Sequence, residues 1–246
     1  MLFTILQRVQ IAFFGGVLFL SSCLLMPDYG DACSTSEPSI ILDPGHSPRK
    51  PGAKSCSGTY EYVYNNKLAE VVARYLSVLS LDVAVTKKPD AEFSLVDRAS
   101  LSSGKTLFIS LHHDSAQPQF IRRVNGNPCS EKAEGFSLFV SSKNAYFQES
   151  LAAAKVLGAS LRVSGLHPST HHGEPIPGEN RKLLDEYCGV YLFDDLIVLK
   201  NAKSPAILLE AGVIVNPVDD ARVKTLEHQQ KIAEAVAKAL MSVGVE

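Results

Sequence analysis

The sequence predicts a single α/β domain, a twisted and mainly parallel sheet of about six strands with helices on both faces. Two observations carry this. Short apolar runs recur along the chain without the strict alternation of a half-solvated sheet, so their strands are read as buried on both sides. Between them lie longer stretches whose apolar residues follow helical spacing. Length agrees with one domain: the chain has 246 residues, and about 22 of them are read below as a targeting segment.

The elements follow in order. The first strand, 40–42, is Ile-Ile-Leu and runs into Asp43-Pro44-Gly45, where Pro-Gly turns the chain. A helix is expected over 61–79, a strand over 81–86 and a short helix over 95–101. Strands are then expected at 107–111 and 136–140, and a helix over 146–161. Residues 164–195 contain Pro168, Pro175, Pro177 and Gly178 and read as a loop. It is longer than most connections, so it is expected to act as a functional loop or lid, with Cys188 pinning one end. Apolar runs at 196–199 and 206–209 read as the last two strands, and 218–240 as the final helix. There is no internal repeat.

The N-terminus reads as a targeting signal. Arg8 precedes an apolar run over 11–20, too short to span a bilayer but suited to a signal-peptide core. Leu20-Ser21-Ser22-Cys23 then resembles a bacterial lipobox, which implies residues 1–22 as a lipoprotein signal and Cys23 as the lipidated new N-terminus. The alternative is an ordinary secretory signal cut a few residues later; either way the protein is exported, to the periplasm or cell envelope. Leu24 after Cys23 looks like an outer-membrane context, if the host has an outer membrane. Residues 23–38 mix Asp, Gly, Ser, Thr and Pro without periodicity and read as a tether, so the domain is placed at 39–246.

Composition excludes some partners. A formal charge of −2 gives no argument for nucleic acid or for an electrostatic membrane surface. Membrane attachment is therefore expected only through the lipid on Cys23. The other cysteines, Cys33, Cys56, Cys129 and Cys188, are even in number, consistent with disulfides in an exported protein. Three pairings are open, as is the alternative of free thiols. No Cys-x-x-Cys pair suggests a structural zinc ribbon.

The chemistry concentrates in four patches: Ile41-Leu42-Asp43-Pro44-Gly45-His46, Glu61 with Asn65, Ser110-Leu111-His112, and Leu209-Glu210-Ala211-Gly212 running on to Asn216. In a parallel sheet, ligands bind beyond the carboxyl ends of the strands. His46 follows the first predicted strand, His112 ends the third, Glu210 ends the last, and Glu61 opens the helix after the first. All four thus fall at one rim. Two imidazoles and a carboxylate can hold Zn²⁺ with a fourth position open, while a second carboxylate exchanges protons.

Taken in this order, the patches resemble the zinc-dependent N-acetylmuramoyl-L-alanine amidases of bacterial peptidoglycan. The resemblance runs from about Ser39 to the C-terminus, and Ser94-Leu95-Val96-Asp97-Arg98-Ala99 extends it; Ser47 and Pro48 depart from it, standing where the family usually has glycines. It implies His46, Glu61 and His112 as ligands of one Zn²⁺ per chain, Glu210 as the catalytic carboxylate, and peptidoglycan as substrate. It leaves room for a protein activator and names none. Two other readings stay open: an envelope lipoprotein that binds peptidoglycan without cutting it, and another zinc hydrolase of the same polymer, such as a carboxypeptidase or deacetylase.

The remaining candidates have plainer readings. His113 neighbours His112 on a strand, so it points to the opposite face and is not expected to be a ligand. A second metal site at His167, His171 and His172 stays open, but their spacing fits no ligand pattern and the favoured reading is a solvated, polar loop; His228 is expected on the surface of the last helix. Tyr60, Tyr62, Tyr64 and Tyr75 are read as a substrate wall or as packing residues, and Arg181 as an exposed arginine or a partner for substrate carboxylates.

Overall fold

The computed structural model describes residues 38–86, 88 and 91–243. The signal 1–22, Cys23, Cys33 and all of the tether but Pro38 lie outside the described residues. The elements are β1 (Ser39–Pro44), α1 (Glu61–Val78), β2 (Asp82–Val85), α2 (Leu95–Ser100), β3 (Leu107–Asp114), β4 (Arg122–Val124), β5 (Asn127–Cys129), β6 (Ser137–Val140), α3 (Phe147–Val163), β7 (Leu183–Asp185), β8 (Val190–Leu192), α4 (Ile197–Asn201), β9 (Ala206–Val213), α5 (Pro217–Val223) and α6 (Leu226–Ser242).

The central sheet has seven strands in the order β2-β1-β3-β9-β6-β8-β7. Pairs β1–β2, β1–β3, β3–β9 and β6–β8 are parallel, whereas β6 runs antiparallel to β9 and β7 to β8. The expected α/β architecture is therefore present, with three differences in detail. The run 196–199 leads into α4, with Leu196 as its N-cap and 197–199 helical, because four apolar residues are too few for their periodicity to separate strand from helix. The supposed loop 164–195 contains β7 and β8, three-residue strands that complete the sheet edge. The expected helix 218–240 is two helices, each with its own cap: the Asn216 side chain accepts from Val218 and Asp219 N–H, and Thr225 accepts from His228 N–H.

Alternation along the strands divides the core. Ile40, Leu42, Leu107, Ile109, Leu111, Ile207 and Leu209 pack beneath α1, α3 and α6 through Leu68, Val72, Leu157, Leu161, Ile232 and Val236. Ile41, Phe108, Phe139, Tyr191 and Leu208 face the other way, onto Val198 and Leu199 of the short α4. Continuing the two-residue period places Asp43, Ser110, His112, Asp114 and Glu210 on this second face. Its helical cover is thin, and a groove remains.

Candidate metal centre and catalytic groove

The backbone around His46 is shaped by what must pass close to it. A Cβ at Gly45 would lie 2.2 Å from the His112 ring, so a side chain there would displace the imidazole. His46 itself adopts φ +62°, and reciprocal backbone bonds between Ser47 and Lys50, both 3.1 Å, close the next turn. Ser47 and Pro48 thus lie in a formed turn.

Glu61 is the first residue of α1 and is almost fully buried. Its Oε2 lies 3.1 Å from His46 Nε2, and its Oε1 lies 3.0 Å from His112 Nδ1. The donor atoms of the three residues all lie within 4.8 Å of one another. Ala53 N–H donates to Oε2 at 3.1 Å, and Asn65 Nδ2 donates to Oε1 at 3.1 Å. Burial works against the Glu61 charge, but hydrogen bonds and attraction from His112 and His46 prevail and hold the carboxyl well below its usual range. His46 Nδ1 meets the Lys50 carbonyl at 3.2 Å. A carbonyl only accepts, so this contact places the proton on Nδ1 and leaves Nε2 with its lone pair toward the cluster.

His113 lies on the opposite face, as alternation requires. It is buried, and its Nδ1 is 2.8 Å from Asn65 Oδ1. Burial drives its pKa down to about 3, so the ring is neutral.

Glu210 is opposite His112 in the β3–β9 register. The strand continues three residues past it, to Val213, so Glu210 lies within β9 rather than at its end. Its Oε2 is sealed from solvent and has no hydrogen-bond partner among the described residues. Burial, and then the negative charges of Asp114 and Glu61, push its pKa well above the ordinary glutamate value.

Two cavities open onto this rim. One of about 660 Å³ is bordered by His46, His112, Phe93, Leu95, Val96 and Ile197. A second of about 210 Å³ is bordered by Glu210, Asp114, His172, Glu179, Arg181 and Phe193. Leu196 and Leu208 line both, so the two lie side by side along one groove.

The sequence reading missed Asp43 as a structural residue. It is fully buried behind the His46 turn, where Arg98 donates from Nε at 2.7 Å and from a terminal nitrogen at 2.6 Å. Thr86 and Ser110 hydroxyls donate at 2.7 and 2.9 Å. A charged residue within an apolar strand was the available signal, with Arg98 waiting in the Ser94–Ala99 stretch. Asp114 was missed as well: it meets His171 and His172, which are buried and not in a solvated loop. Burial opposes charge on His172, but Asp114 and Glu179 raise its pKa to about 9.

Other expectations change too. His228 is buried, with Nε2 3.0 Å from the Ala211 carbonyl, because α6 turns that face to the sheet. His167 is partly exposed and pairs with Glu134. Tyr64 is a packing residue whose hydroxyl donates to Asp220, whereas Tyr60 is exposed. The Arg181 guanidinium stacks 3.6 Å over Phe193. Cys56 and Cys129 form a disulfide, and Cys188 is buried and forms no disulfide among the described residues.

Comparison with known proteins follows the same lines. Residues 40–242 match the model of the N-acetylmuramoyl-L-alanine amidase family. A curated relative, "Probable cell wall amidase LytH" of Staphylococcus aureus, is 27% identical over 203 residues, covering 82% of this chain and 56% of the relative. The chain thus spans little more than half the length of that relative. Among solved structures, the amidase Ami1 of Mycobacterium smegmatis superposes with a TM-score of 0.65 at 24% identity, covering 83% of this chain and 95% of that one. An N-acetylmuramoyl-L-alanine amidase of Clostridium difficile 630 gives 0.65 at 21% identity, covering 84% and 96%. These likenesses confirm the fold, and the family match over most of the sequence settles descent: the chain belongs to the N-acetylmuramoyl-L-alanine amidase family.

Proposed function

We propose that this protein is an exported zinc hydrolase that cleaves the amide between the lactyl group of N-acetylmuramic acid and L-alanine in peptidoglycan. The observation that carries the reading is the convergence of His46, Glu61 and His112 beside Glu210 on one groove, in a chain of this family. Two imidazoles and one carboxylate suit Zn²⁺ with a position left for reactants, and the Lys50 carbonyl sets the tautomer that His46 needs as a ligand. When bound there, zinc supplies Lewis acidity toward the scissile carbonyl and the attacking water.

The protein's own groups do the rest. Glu210, whose Oε2 is sealed from solvent and makes no hydrogen bond among the described residues, accepts the proton of the attacking water and returns it to the departing L-alanine nitrogen. Such proton transfer contributes about 10²–10⁴ in rate, because an amide nitrogen leaves poorly as an anion. The apolar wall of Phe93, Leu95, Val96 and Ile197 orients the lactyl and peptide portions over the rim. Asn65 holds Glu61 in place, and Asp43 with Arg98 fixes the strand end from which His46 departs.

Export is supported by the disulfide, which belongs to an oxidising compartment. Lipidation at Cys23 then fastens the enzyme to a membrane facing its polymer. No helix among the described residues is long and apolar enough to cross a membrane. The test is mass spectrometry of purified peptidoglycan digested by the zinc-loaded chain. The expected products are stem peptides with a free L-alanine amine and glycan stripped of peptide. Release of terminal D-alanine or of acetate instead would assign a carboxypeptidase or a deacetylase.

A further inference from the structure

Beyond the first cluster, β3 carries a second set of donors. Asp114 is two residues past His112 on the same face, roughly 7 Å along the strand. The register against β9 shifts between them, and such irregularities re-aim side chains. Above it, the short turn His171–Gly173 presents two adjacent imidazoles, both about 6% exposed. His171 Nε2 is 3.1 Å and His172 Nε2 2.8 Å from the same oxygen, Asp114 Oδ2.

These three atoms are sealed from solvent, and among the described residues none has a partner in hydrogen-bond geometry. Each contact is an ion pair when its imidazole is protonated, and a bound metal would take the place of those protons between the rings and Asp114. The outer ring nitrogens are occupied. His172 Nδ1 is 2.8 Å from Glu179 Oε2, whose other oxygen accepts from Gln117 Nε2 at 2.7 Å. His171 Nδ1 is 2.7 Å from Ser169 Oγ. A carboxylate accepting from Nδ1–H leaves Nε2 as a lone-pair donor and raises its basicity, the support that ligand histidines receive in metal sites.

We propose that Asp114, His171 and His172 form a second site for a zinc-like divalent transition metal, separate from the His46–Glu61–His112 centre. Two imidazoles and one carboxylate are the same donor set, and they suit zinc over magnesium or calcium. The site abuts the 210 Å³ cavity that Asp114 and His172 line together with Glu210 and Arg181. Bound there, it ties the 164–195 segment to the central strand.

The test is metal stoichiometry of the full chain, saturated with Zn²⁺, freed of excess ion and measured by elemental analysis. The expected result is two zinc ions per wild-type chain, with one lost in His172→Ala and one lost in His46→Ala. Zinc retained by His46→Ala and removed by adding His172→Ala supports the second site even if the first reading fails. Equal zinc in wild type and folded His172→Ala overturns the proposal. Should His172→Ala not fold, titration of wild type with Co²⁺, read by visible absorption, decides: saturation at two equivalents supports the second site, and saturation at one overturns it.

Discussion

Removing the Cys56–Cys129 bridge should cost a large share of the stability of the domain. The two cysteines are 73 residues apart, so the bond closes a long loop in the unfolded chain. The chain-entropy relation gives about 15 cal/mol/K for a loop of this length, or about 4 kcal/mol at 25 °C. Typical domains have only about 5–15 kcal/mol in total. The assay is urea unfolding of wild type against Cys56→Ala/Cys129→Ala, a pair of changes that introduces no new buried polar group. With m of about 2–3 kcal/mol/M, the midpoint should fall by roughly 1.5–2 M. The slope should also rise, since the unfolded chain is freer to expand. Zinc content should be unchanged, because Glu61 is oriented by Ala53 and Asn65 and not by the disulfide. A loss below about 1 kcal/mol would refute the reasoning that the bridge acts by restricting the unfolded state.

Three further outcomes are expected. Arg98→Ala leaves the Asp43 carboxylate buried without its partner, and denaturant melts should show a loss of about 3–5 kcal/mol. Burial lowers His228 from 6.5 to about 4; the unfolded chain therefore takes up that proton first, and the contribution is complete above pH 6.5 and falls by about 1.4 kcal/mol per unit down toward pH 4. His228→Gln should flatten that slope in melts between pH 7 and 4.5. His46→Ala and His112→Ala should each lose activity together with the metal of the first centre, and a chelator should silence the native enzyme until Zn²⁺ is restored; full activity in metal-free protein would remove the metal from the account.

Much of the fold was legible because the strands are buried on both faces. Ile40–Leu42, Leu107–Leu111 and Ala206–Leu209 are apolar runs that no amphipathic helix would carry, and they became β1, β3 and β9. The clustering of the candidate residues was legible for a related reason: polar residues interrupt those runs just where the strands reach the groove. The rest is tertiary. β7 and β8 have three residues each, too few for any period, and exist because neighbours supply hydrogen bonds. The hairpin β4–β5 did have a local signal, Asn125-Gly126 with φ of 50° and 79°, the two positive values that a tight two-residue turn requires. His171 and His172 look like loop residues because their partner, Asp114, is 57 positions away; only the folded chain makes them a buried cluster.

The most direct measurement is the activity of Glu210→Gln at known zinc content. The substitution keeps size and shape but cannot carry a proton between water and the leaving nitrogen. The account predicts zinc equal to wild type and a fall in kcat on a soluble muropeptide of about 10²–10⁴. A fully loaded Glu210→Gln protein with kcat within tenfold of wild type would contradict it.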